Sequence, residues 1–417
     1  MHLARTHLLS LATLVGSVIS SVTAQQKPIE RHLPAMGWNS WNSFHCNEID
    51  EKLIRDTADI LVSSGLAAVG YTYLTIDDCW SSGRDPKTGD LVADPKKFPS
   101  GMASLGAHIH SRGLKFGIYS SAGTRTCNAP ADTGSLGREA QDAKLWASWG
   151  VDYLKYDNCF NEGQYGTEEK SFERYKKMAD ALLATGRPIY YSLCNWGQDF
   201  PWKWASKIGN SWRTTGDIGP SWNTPSPYCK CTVAGCDAYG SVNCPIMNIL
   251  DKNIGLEPYA SPTLGWNDMD MLEVGNAGMT TAEQLSHFVL WAVMKSPLIL
   301  GNDLRTMDKA TRTILAAREI VAVNQDPLGV PARLVQDWGK RQQVFAGPLV
   351  DGHVVVLLNR DSVPAKITAS FDKIGLTSTT TARVRDLWRR LDIGTATGSF
   401  TVDAVLPHSV IIVKLQV

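Results

Sequence analysis

The strongest constraint on the fold of this chain is a repeated pattern of apolar strand, amphipathic helix and glycine. Glycine stands just past four helix-like stretches, at Gly65, Gly113, Gly150 and Gly186, where a helix end often needs a positive φ. Several strand candidates are continuous apolar runs, as expected for parallel strands that are buried on both faces. The repeat therefore predicts βα units and a parallel sheet. The eight strand candidates are Ala35–Trp41, Tyr71–Asp77, Leu114–Ser120, Val151–Tyr156, Pro188–Leu193, Ser211–Thr215, Trp266–Leu272 and Ser296–Gly301.

Eight βα units within about 300 residues fit a closed (β/α)8 barrel. The alternative is an open, doubly wound sheet, but the sequence lacks the glycine-rich loop with which such sheets bind nucleotides. We therefore predict an α/β fold in which a (β/α)8 TIM barrel occupies residues 25–329.

The pattern changes after residue 329, and no long amphipathic helix is predicted beyond it. Apolar runs there are separated by polar turns, of which Asp351-Gly352 and Asp392-Ile393-Gly394 have typical turn composition. We predict a separate C-terminal antiparallel β-sandwich over residues 330–417. Its strand candidates are Val344–Phe345, Val354–Leu358, Ile367–Phe371, Ala382–Trp388, Ser399–Val402 and Val410–Leu415.

Residues 1–24 have the composition of a signal peptide. His2 and Arg5 precede an apolar stretch, Leu8–Ile19, and the small residues of Val22–Ala24 offer a cleavage site. An uncleaved membrane anchor is the alternative, but the stretch is short and is interrupted by Ser and Gly. We therefore predict a secreted, extracellular protein. Lys+Arg and Asp+Glu each number 41, which gives no basic surface for nucleic acid and no reason to expect a membrane partner.

Export would place the nine cysteines in an oxidising compartment, where eight should pair and one should remain. Cys229, Cys231, Cys236 and Cys244 lie close together in the sequence. A zinc site is the competing interpretation of such a cluster. Secretion favours disulfides instead, as does the lack of a histidine near the cluster.

Two aspartates at the ends of predicted strands are candidates for catalysis. Asp157 ends the run Tyr153–Asp157, and Asp217 follows the run Trp212–Thr215. A (β/α)8 barrel builds its site from the C-terminal ends of its strands, and hydrolysis of a glycosidic bond needs two flanking carboxyl groups. The pair therefore predicts glycoside hydrolysis. Neither a metal nor an organic cofactor is implied, because two carboxyl groups suffice for this chemistry.

Each candidate aspartate has a cation near it in the sequence. Lys155 and Asp157 project from the same side of a strand, so Lys155 should stabilise the ionised form that a nucleophile needs. Arg213 precedes Asp217 by four residues. An acid/base residue needs a raised pKa, so we expect Asp217 to be less well stabilised by cations than Asp157. A purely structural ion pair is the alternative for Lys155 and Asp157.

Two further strand ends carry groups that can bind a sugar. Asp77 and Asp78 are adjacent carboxylates, whose mutual repulsion is costly unless something requires both. A vicinal diol can donate hydrogen bonds to such groups, while capping of a helix is the alternative for Asp78. Trp38 and Trp41 differ by three positions and would face opposite ways on a strand. We expect Trp38 in the core and Trp41 in the site.

Four motifs together resemble the α-galactosidase and α-N-acetylgalactosaminidase family of glycoside hydrolases, the melibiases. They are Gly37–Asn42, Asp77–Trp80, Lys155–Cys159 and Trp266–Met271. The resemblance implies a (β/α)8 barrel followed by an antiparallel β domain. It also implies a retaining exo-α-galactosidase that releases terminal α-D-galactose from galacto-oligosaccharides, galactomannans or galactolipids.

The resemblance further implies a role for each candidate residue, with Asp157 as the nucleophile and Asp217 as the acid/base. At one position the chain departs from many relatives, because Met269 stands where they have proline. The residues implied to bind substrate are Asp77 and Asp78 at the galactose 4- and 6-hydroxyls, Lys155 and Arg213 at ring hydroxyls, Cys194 and Trp196 at the 2-hydroxyl, Trp41 and Tyr119 as walls, and Asp270.

Three rival functions are weighed against these residues. A 2-acetamido group should clash with Trp196, which argues against an α-N-acetylgalactosaminidase. The presence of both Asp77 and Asp78 argues against a β-L-arabinopyranosidase, whose sugar lacks the exocyclic carbon. Both catalytic carboxylates and their cations argue against a silent galactose-binding protein. The sequence does not predict the oligomeric state.

The resemblance also implies how the cysteines pair. Cys194 would be the odd thiol and would lie in the site, where it would be open to mercurials. The implied disulfides are Cys46–Cys79, Cys127–Cys159, Cys229–Cys244 and Cys231–Cys236.

Overall fold

The computed structural model describes residues 33–128, 132–237 and 240–417. The predicted signal peptide, residues 1–24, lies outside the described residues. Within the described ranges, no helix is both long and apolar enough to cross a membrane.

Eight parallel strands form one sheet in the order β10-β1-β2-β5-β6-β7-β8-β9. A further parallel bridge joins Leu272, just after β9, to Leu300 in β10, so the sheet closes on itself. The predicted (β/α)8 barrel is confirmed. In order, the strands of this part are β1 (Met36–Asn39), β2 (Tyr73–Thr75), β3 (Ser81–Arg84), β4 (Leu91–Ala93), β5 (Lys115–Ser121), β6 (Tyr153–Asp157), β7 (Tyr190–Cys194), β8 (Ser211–Arg213), β9 (Trp266–Asp268) and β10 (Leu298–Leu300).

Helices cover the outside of the sheet. The glycines predicted to end helices have positive φ, with 83° at Gly65, 73° at Gly113, 78° at Gly150 and 73° at Gly186. The helices are α1 (Trp41–Phe44), α2 (Glu51–Ser63), α3 (Gly101–Ser111), α4 (Glu139–Ser148), α5 (Glu168–Ala184), α6 (Ile246–Asn253), α7 (Thr281–Val293), α8 (Lys309–Leu315) and α9 (Arg318–Asn324).

Strands β3 and β4 form an antiparallel hairpin that the sequence pattern did not predict. The run Ser81–Arg84 is polar and contains glycine, so it lacks the apolar periodicity of a strand. An ion pair fixes the hairpin instead, because the guanidinium of Arg84 contacts both carboxylate oxygens of Asp142 on α4 at 2.7 Å. A pairing of this kind depends on residues that are far apart in the sequence.

The interior of the barrel has an aromatic floor below the strand ends. The ring centroids of Tyr153 and Tyr190 are 5.1 Å apart, and Tyr73 lies 5.3 Å from Tyr153. Side chains alternate along a strand, so Lys155 and Asp157 continue upward from Tyr153 on the same side of β6. The floor therefore sets the depth at which the polar side chains begin.

The C-terminal residues form an antiparallel β domain, as predicted. A six-stranded sheet has the order β11-β12-β13-β18-β15-β16, and β14 pairs with β17. The strands are β11 (Arg333–Asp337), β12 (Gln342–Leu349), β13 (Gly352–Asn359), β14 (Ala365–Ser370), β15 (Thr381–Asp386), β16 (Leu391–Thr397), β17 (Ser399–Val405) and β18 (Val410–Gln416).

One turn prediction in this domain is wrong. Asp392-Ile393-Gly394 lies inside β16, which is an exposed edge strand with a bulge at Ile393. An edge strand that faces solvent needs no apolar alternation, so its composition resembles that of a turn. Strand β11, at the other edge of the sheet, was not predicted for the same reason.

The β domain packs firmly on the barrel. Along β13, Val354 and Val356 belong to the large core shared with the barrel, whereas Val355 and Leu357 belong to the core between the two sheets of the β domain. Both faces of this strand are therefore buried. Ion pairs add to the contact, since Arg360 contacts Asp251 at 2.7 Å across the two parts.

Candidate active site

The C-terminal ends of the barrel strands surround a cavity of about 880 Å³. This volume exceeds that of a single hexose, and the walls combine carboxylates, cations and aromatic rings. The structure brings together ten of the eleven residues predicted to form the site. Those that line the cavity are Trp41, Asp77, Asp78, Tyr119, Lys155, Asp157, Trp196, Arg213, Asp217 and Asp270.

Asp157 is the last residue of β6, and its carboxylate is buried at the base of the cavity. One oxygen accepts a hydrogen bond from the hydroxyl of Tyr119 at 2.8 Å, and the other accepts one from the amide of Asn158 at 2.9 Å. The pKa of Asp157 is raised to about 6, because burial and the charge of Asp217 outweigh the lowering effects of Lys155 and the two hydrogen bonds. The two carboxyl groups are therefore close enough to influence each other.

Asp217 lies four residues beyond β8, and 39% of its side chain is accessible. Its backbone amide donates to the carbonyl of Ser241 at 2.8 Å, and its carbonyl accepts from the amide of Cys244 at 2.8 Å. Although the side chain is partly exposed, desolvation by the walls of the barrel mouth raises the pKa of this carboxyl, and the neighbouring Arg213 lowers it. A raised pKa suits a group that must donate a proton.

The expected division of cations between the two aspartates is wrong. Arg213 contacts Asp217 directly at 3.0 Å, whereas Lys155 reaches across to Asp77 at 2.8 Å. Sequence spacing placed Lys155 and Asp157 on one side of β6. The long side chain of Lys155 nevertheless reaches the carboxylate of Asp77, which follows β2. Lys155 therefore acts on Asp157 through space and not through a direct ion pair.

Asp77 and Asp78 are held by different partners. Asp77 accepts a second hydrogen bond from the side-chain amide of Asn39 at 2.7 Å, in addition to that from Lys155. Asp78 accepts from the backbone amide of Asn128 at 2.8 Å. Burial raises the pKa of Asp78, and the adjacent charge of Asp77 adds to this effect. The segment after Asp78 leads into β3, so Asp78 does not cap a helix.

Asp270 shares a cation with Asp217. The same nitrogen of Arg213 contacts Asp270 at 2.7 Å and Asp217 at 3.0 Å. Asp270 also accepts from the amides of Ile218 at 2.8 Å and Met271 at 2.7 Å. These contacts connect the end of β9 with the segment that carries Asp217.

The aromatic residues partly follow the expectations. Trp38 is fully buried and Trp41 lines the cavity, as predicted. The reason given was wrong, because β1 ends at Asn39 and Trp41 begins α1 instead of continuing the strand. Trp196 lines the cavity from a left-handed backbone conformation with φ 57°. In the described part of the chain, the wall after β7 is formed by Trp196 and not by Cys194, which is buried and accepts from Arg213 at 3.5 Å.

The disulfides have the pairing that the family resemblance implied. Two of them join segments beside the cavity, and the other two cross-link the segment between β8 and α6. A disulfide sulfur is not the thiolate that a zinc site requires, so the cysteine cluster does not form one. The pairs are Cys46–Cys79, Cys127–Cys159, Cys229–Cys244 and Cys231–Cys236.

The sequence analysis missed three carboxyl groups in the cavity wall, those of Glu48, Asp303 and Glu273, of which only Glu273 is buried. Glu273 accepts from the side-chain amide of Asn42 at 2.6 Å and from that of Asn276. Burial raises the pKa of Glu273 to about 7. Its position shortly after β9 is the signal that would have identified it, because barrel sites are built at such strand ends.

This arrangement defines a class of protein. Two carboxyl groups influence each other at the mouth of a (β/α)8 barrel, and further carboxylates and aromatic rings surround a cavity of sugar size. These are the features of a glycoside hydrolase.

Comparison with known proteins identifies the family. A family model described as α-galactosidase A matches residues 33–326, and one described as the α-galactosidase C-terminal β-sandwich domain matches residues 339–415. The chain therefore belongs to the α-galactosidase family of glycoside hydrolases.

Individual relatives are similar over most of their length. The chain is 52% identical to α-galactosidase 3 of Arabidopsis thaliana over 88% of this chain and 78% of the relative. The crystal structure of α-galactosidase I from Mortierella vinacea is 45% identical, with a TM-score of 0.89 over 94% of this chain and 98% of that one. A structure of the Saccharomyces cerevisiae α-galactosidase with raffinose is 37% identical, with a TM-score of 0.87 over 92% and 97%.

Proposed function

We propose that this protein is a retaining exo-α-galactosidase that hydrolyses terminal, non-reducing α-D-galactose residues. The observation that carries the proposal is the meeting of Asp157 and Asp217 in one cavity, where the charge of Asp217 raises the pKa of Asp157. The family and the raffinose bound to the yeast relative support an α-galactoside oligosaccharide or polysaccharide as the substrate.

The reaction proceeds by double displacement. A carboxylate oxygen of Asp157 attacks the anomeric carbon while Asp217 gives its proton to the leaving oxygen, which forms a galactosyl ester and releases the aglycone. Asp217 then takes a proton from water, whose oxygen attacks the anomeric carbon and frees Asp157. This route needs carboxyl groups about 5–5.5 Å apart, and it needs neither a metal nor an organic cofactor.

Four groups account for the preference for galactose. Asp77 and Asp78 are buried at the cavity wall with their carboxylates already hydrogen-bonded, so they are oriented to accept from the 4- and 6-hydroxyls. Lys155 is held by Asp77 and Arg213 by Asp270, and both cations can donate hydrogen bonds to ring hydroxyls. Because such donors and acceptors are fixed in advance, a sugar with a misplaced hydroxyl leaves buried groups unpaired.

Trp196 favours galactose over N-acetylgalactosamine. Its ring lies in the cavity wall and is 7% exposed, which leaves little room for an acetamido substituent next to it. An α-N-acetylgalactosaminidase is the alternative within the family, and a β-L-arabinopyranosidase is another. The pair of carboxylates at Asp77 and Asp78 argues against the latter.

We further propose that the protein is secreted. The signal-like composition of residues 1–24 and the four disulfides of the described chain both fit an exported protein.

The test compares p-nitrophenyl α-D-galactopyranoside with its 2-acetamido analogue, using wild type, Asp157→Ala and the matched control Asp180→Ala. Asp180 is a partly exposed residue of α5 that pairs with Lys176, outside the cavity. We expect turnover of the galactoside alone, its loss in Asp157→Ala, and wild-type rates in the control.

Azide added to Asp157→Ala should restore part of the activity, because a small anion can occupy the space of the deleted carboxylate. A nucleophile on that face yields β-galactosyl azide. Turnover of the acetamido substrate would contradict the role of Trp196. Rescue that yields the α-azide would contradict Asp157 as the nucleophile.

A further inference from the structure

The turn between β17 and β18 carries a histidine in an unusual conformation. His408 has φ 52°, in the left-handed region that residues other than glycine rarely adopt. Such a conformation persists where surrounding contacts fix it. Two polar contacts and one ring contact join His408 to the barrel.

Two of these contacts reach the start of α7. The Nδ1 atom of His408 lies 2.7 Å from a carboxylate oxygen of Glu283, and the carbonyl of His408 accepts from the hydroxyl of Ser286 at 2.8 Å. The other oxygen of Glu283 accepts from the amide of Thr280 at 2.7 Å in the capping box of the helix. The histidine is thus anchored to a well-defined helix terminus.

The third contact is made to the segment that carries Asp217. The imidazole of His408 stacks on Trp222, with ring centroids 5.4 Å apart and an interplanar angle of 24°. Trp222 is buried and lies five residues after Asp217. Stacked aromatic pairs of this kind contribute to stability beyond the area that they bury.

The segment between Asp217 and Trp222 depends on such packing, because it lies beyond the end of β8. It is paired with the segment before and at the start of α6, where Cys244 donates to Asp217 at 2.8 Å and Met247 donates to Trp222 at 3.0 Å. Backbone pairing fixes the two segments to each other. The hydrogen bond from Ile218 to Asp270 fixes them to the end of β9, and the stack on His408 fixes them to the β domain.

We propose that His408 is a positioning residue through which the C-terminal β domain holds the Asp217 segment in place for proton transfer. The inference rests on the proposed function, since it takes Asp217 as the acid/base. It gives the β domain a part in catalysis without placing any of its side chains in the cavity.

The test is the dependence on the leaving group. Melibiose needs a proton on its leaving oxygen, whereas 2,4-dinitrophenyl α-galactoside leaves without one, so only the former should report the position of Asp217 in kcat/KM. We expect His408→Gly, which keeps the left-handed backbone without strain, to lower kcat/KM for melibiose about tenfold. The dinitrophenyl substrate should change by less than about twofold.

Two further variants guard against a purely structural effect. Trp222→Leu removes the ring from the other side of the stack and should show the same selectivity. Leu406→Ala alters the same turn at an exposed side chain and should leave both substrates unchanged. Thermal unfolding of each variant is measured, and the rates are taken well below the unfolding temperature.

The outcomes separate this inference from the proposed function. A selective loss on melibiose in both His408→Gly and Trp222→Leu supports it. An equal loss of kcat/KM on the two substrates would overturn it, and so would an unchanged kcat/KM for melibiose in both variants. Either result would leave the proposed function intact. A wild type that hydrolyses neither galactoside would overturn both.

Discussion

Tyr119→Phe should shift the acid limb of the pH–activity profile to higher pH. The hydroxyl of Tyr119 donates a buried hydrogen bond of 2.8 Å to Asp157, and this bond lowers the pKa of the carboxyl by favouring its ionised form. Phenylalanine keeps the ring and removes the donor. The change therefore isolates one contribution to the charge state of the nucleophile.

The size of the shift follows from the energy of the bond. A hydrogen bond to a charged group contributes about 1.5–3 kcal/mol, and one pKa unit corresponds to about 1.4 kcal/mol. The pKa of Asp157, about 6 in the wild type, should therefore rise by about 1–2 units in the variant. Because the nucleophile must be ionised, activity is lost on the acid side, by about tenfold or more at one pH unit below the wild-type pKa.

The measurement is kcat/KM against pH on p-nitrophenyl α-D-galactopyranoside, whose acid limb reports the free enzyme. Tyr156→Phe is the matched control, because Tyr156 is fully buried in β6 beside Asp157 and its hydroxyl has no hydrogen-bond partner among the described residues. An acid limb that stays in place in a folded Tyr119→Phe variant would refute the reasoning. So would an equal shift in the control.

Three other expectations follow from single contacts. Asp77→Asn removes the charge that Lys155 contacts at 2.8 Å and should lower kcat/KM on the nitrophenyl galactoside at least about tenfold, with an unchanged circular dichroism spectrum. Lys252→Met leaves the buried carboxylate of Asp237 without its 2.8 Å partner and should lower the free energy of unfolding in urea by about 3–5 kcal/mol. Adding Asp237→Leu should restore most of that loss, and a double variant as unstable as the single one would contradict the account. The thiol of Cys194 is 1% exposed, and burial raises its pKa. It should therefore react with a thiol reagent only on unfolding, whereas rapid reaction in the native protein would contradict its burial.

Much of the fold could be read from periodicity, because its strands and helices are local patterns. The eight barrel strands and the glycines after the helices needed only apolar runs and positive φ. The β3–β4 hairpin could not be read in this way, since the pairing of Arg84 with Asp142 holds it. Strand β16 was mistaken for a turn because an exposed edge strand carries the same polar residues.

The candidate site divides in the same way. The sequence by itself determined that Asp77, Asp78, Asp157 and Asp217 would gather at one end of a barrel, because the C-terminal ends of parallel strands meet at one edge. Only the tertiary structure decided which cation meets which carboxylate, and it pairs Lys155 with Asp77 and Arg213 with both Asp217 and Asp270. A long charged side chain has several possible partners within reach. Which one it contacts depends on the distances between strands, and these distances cannot be derived from the spacing of residues in the sequence.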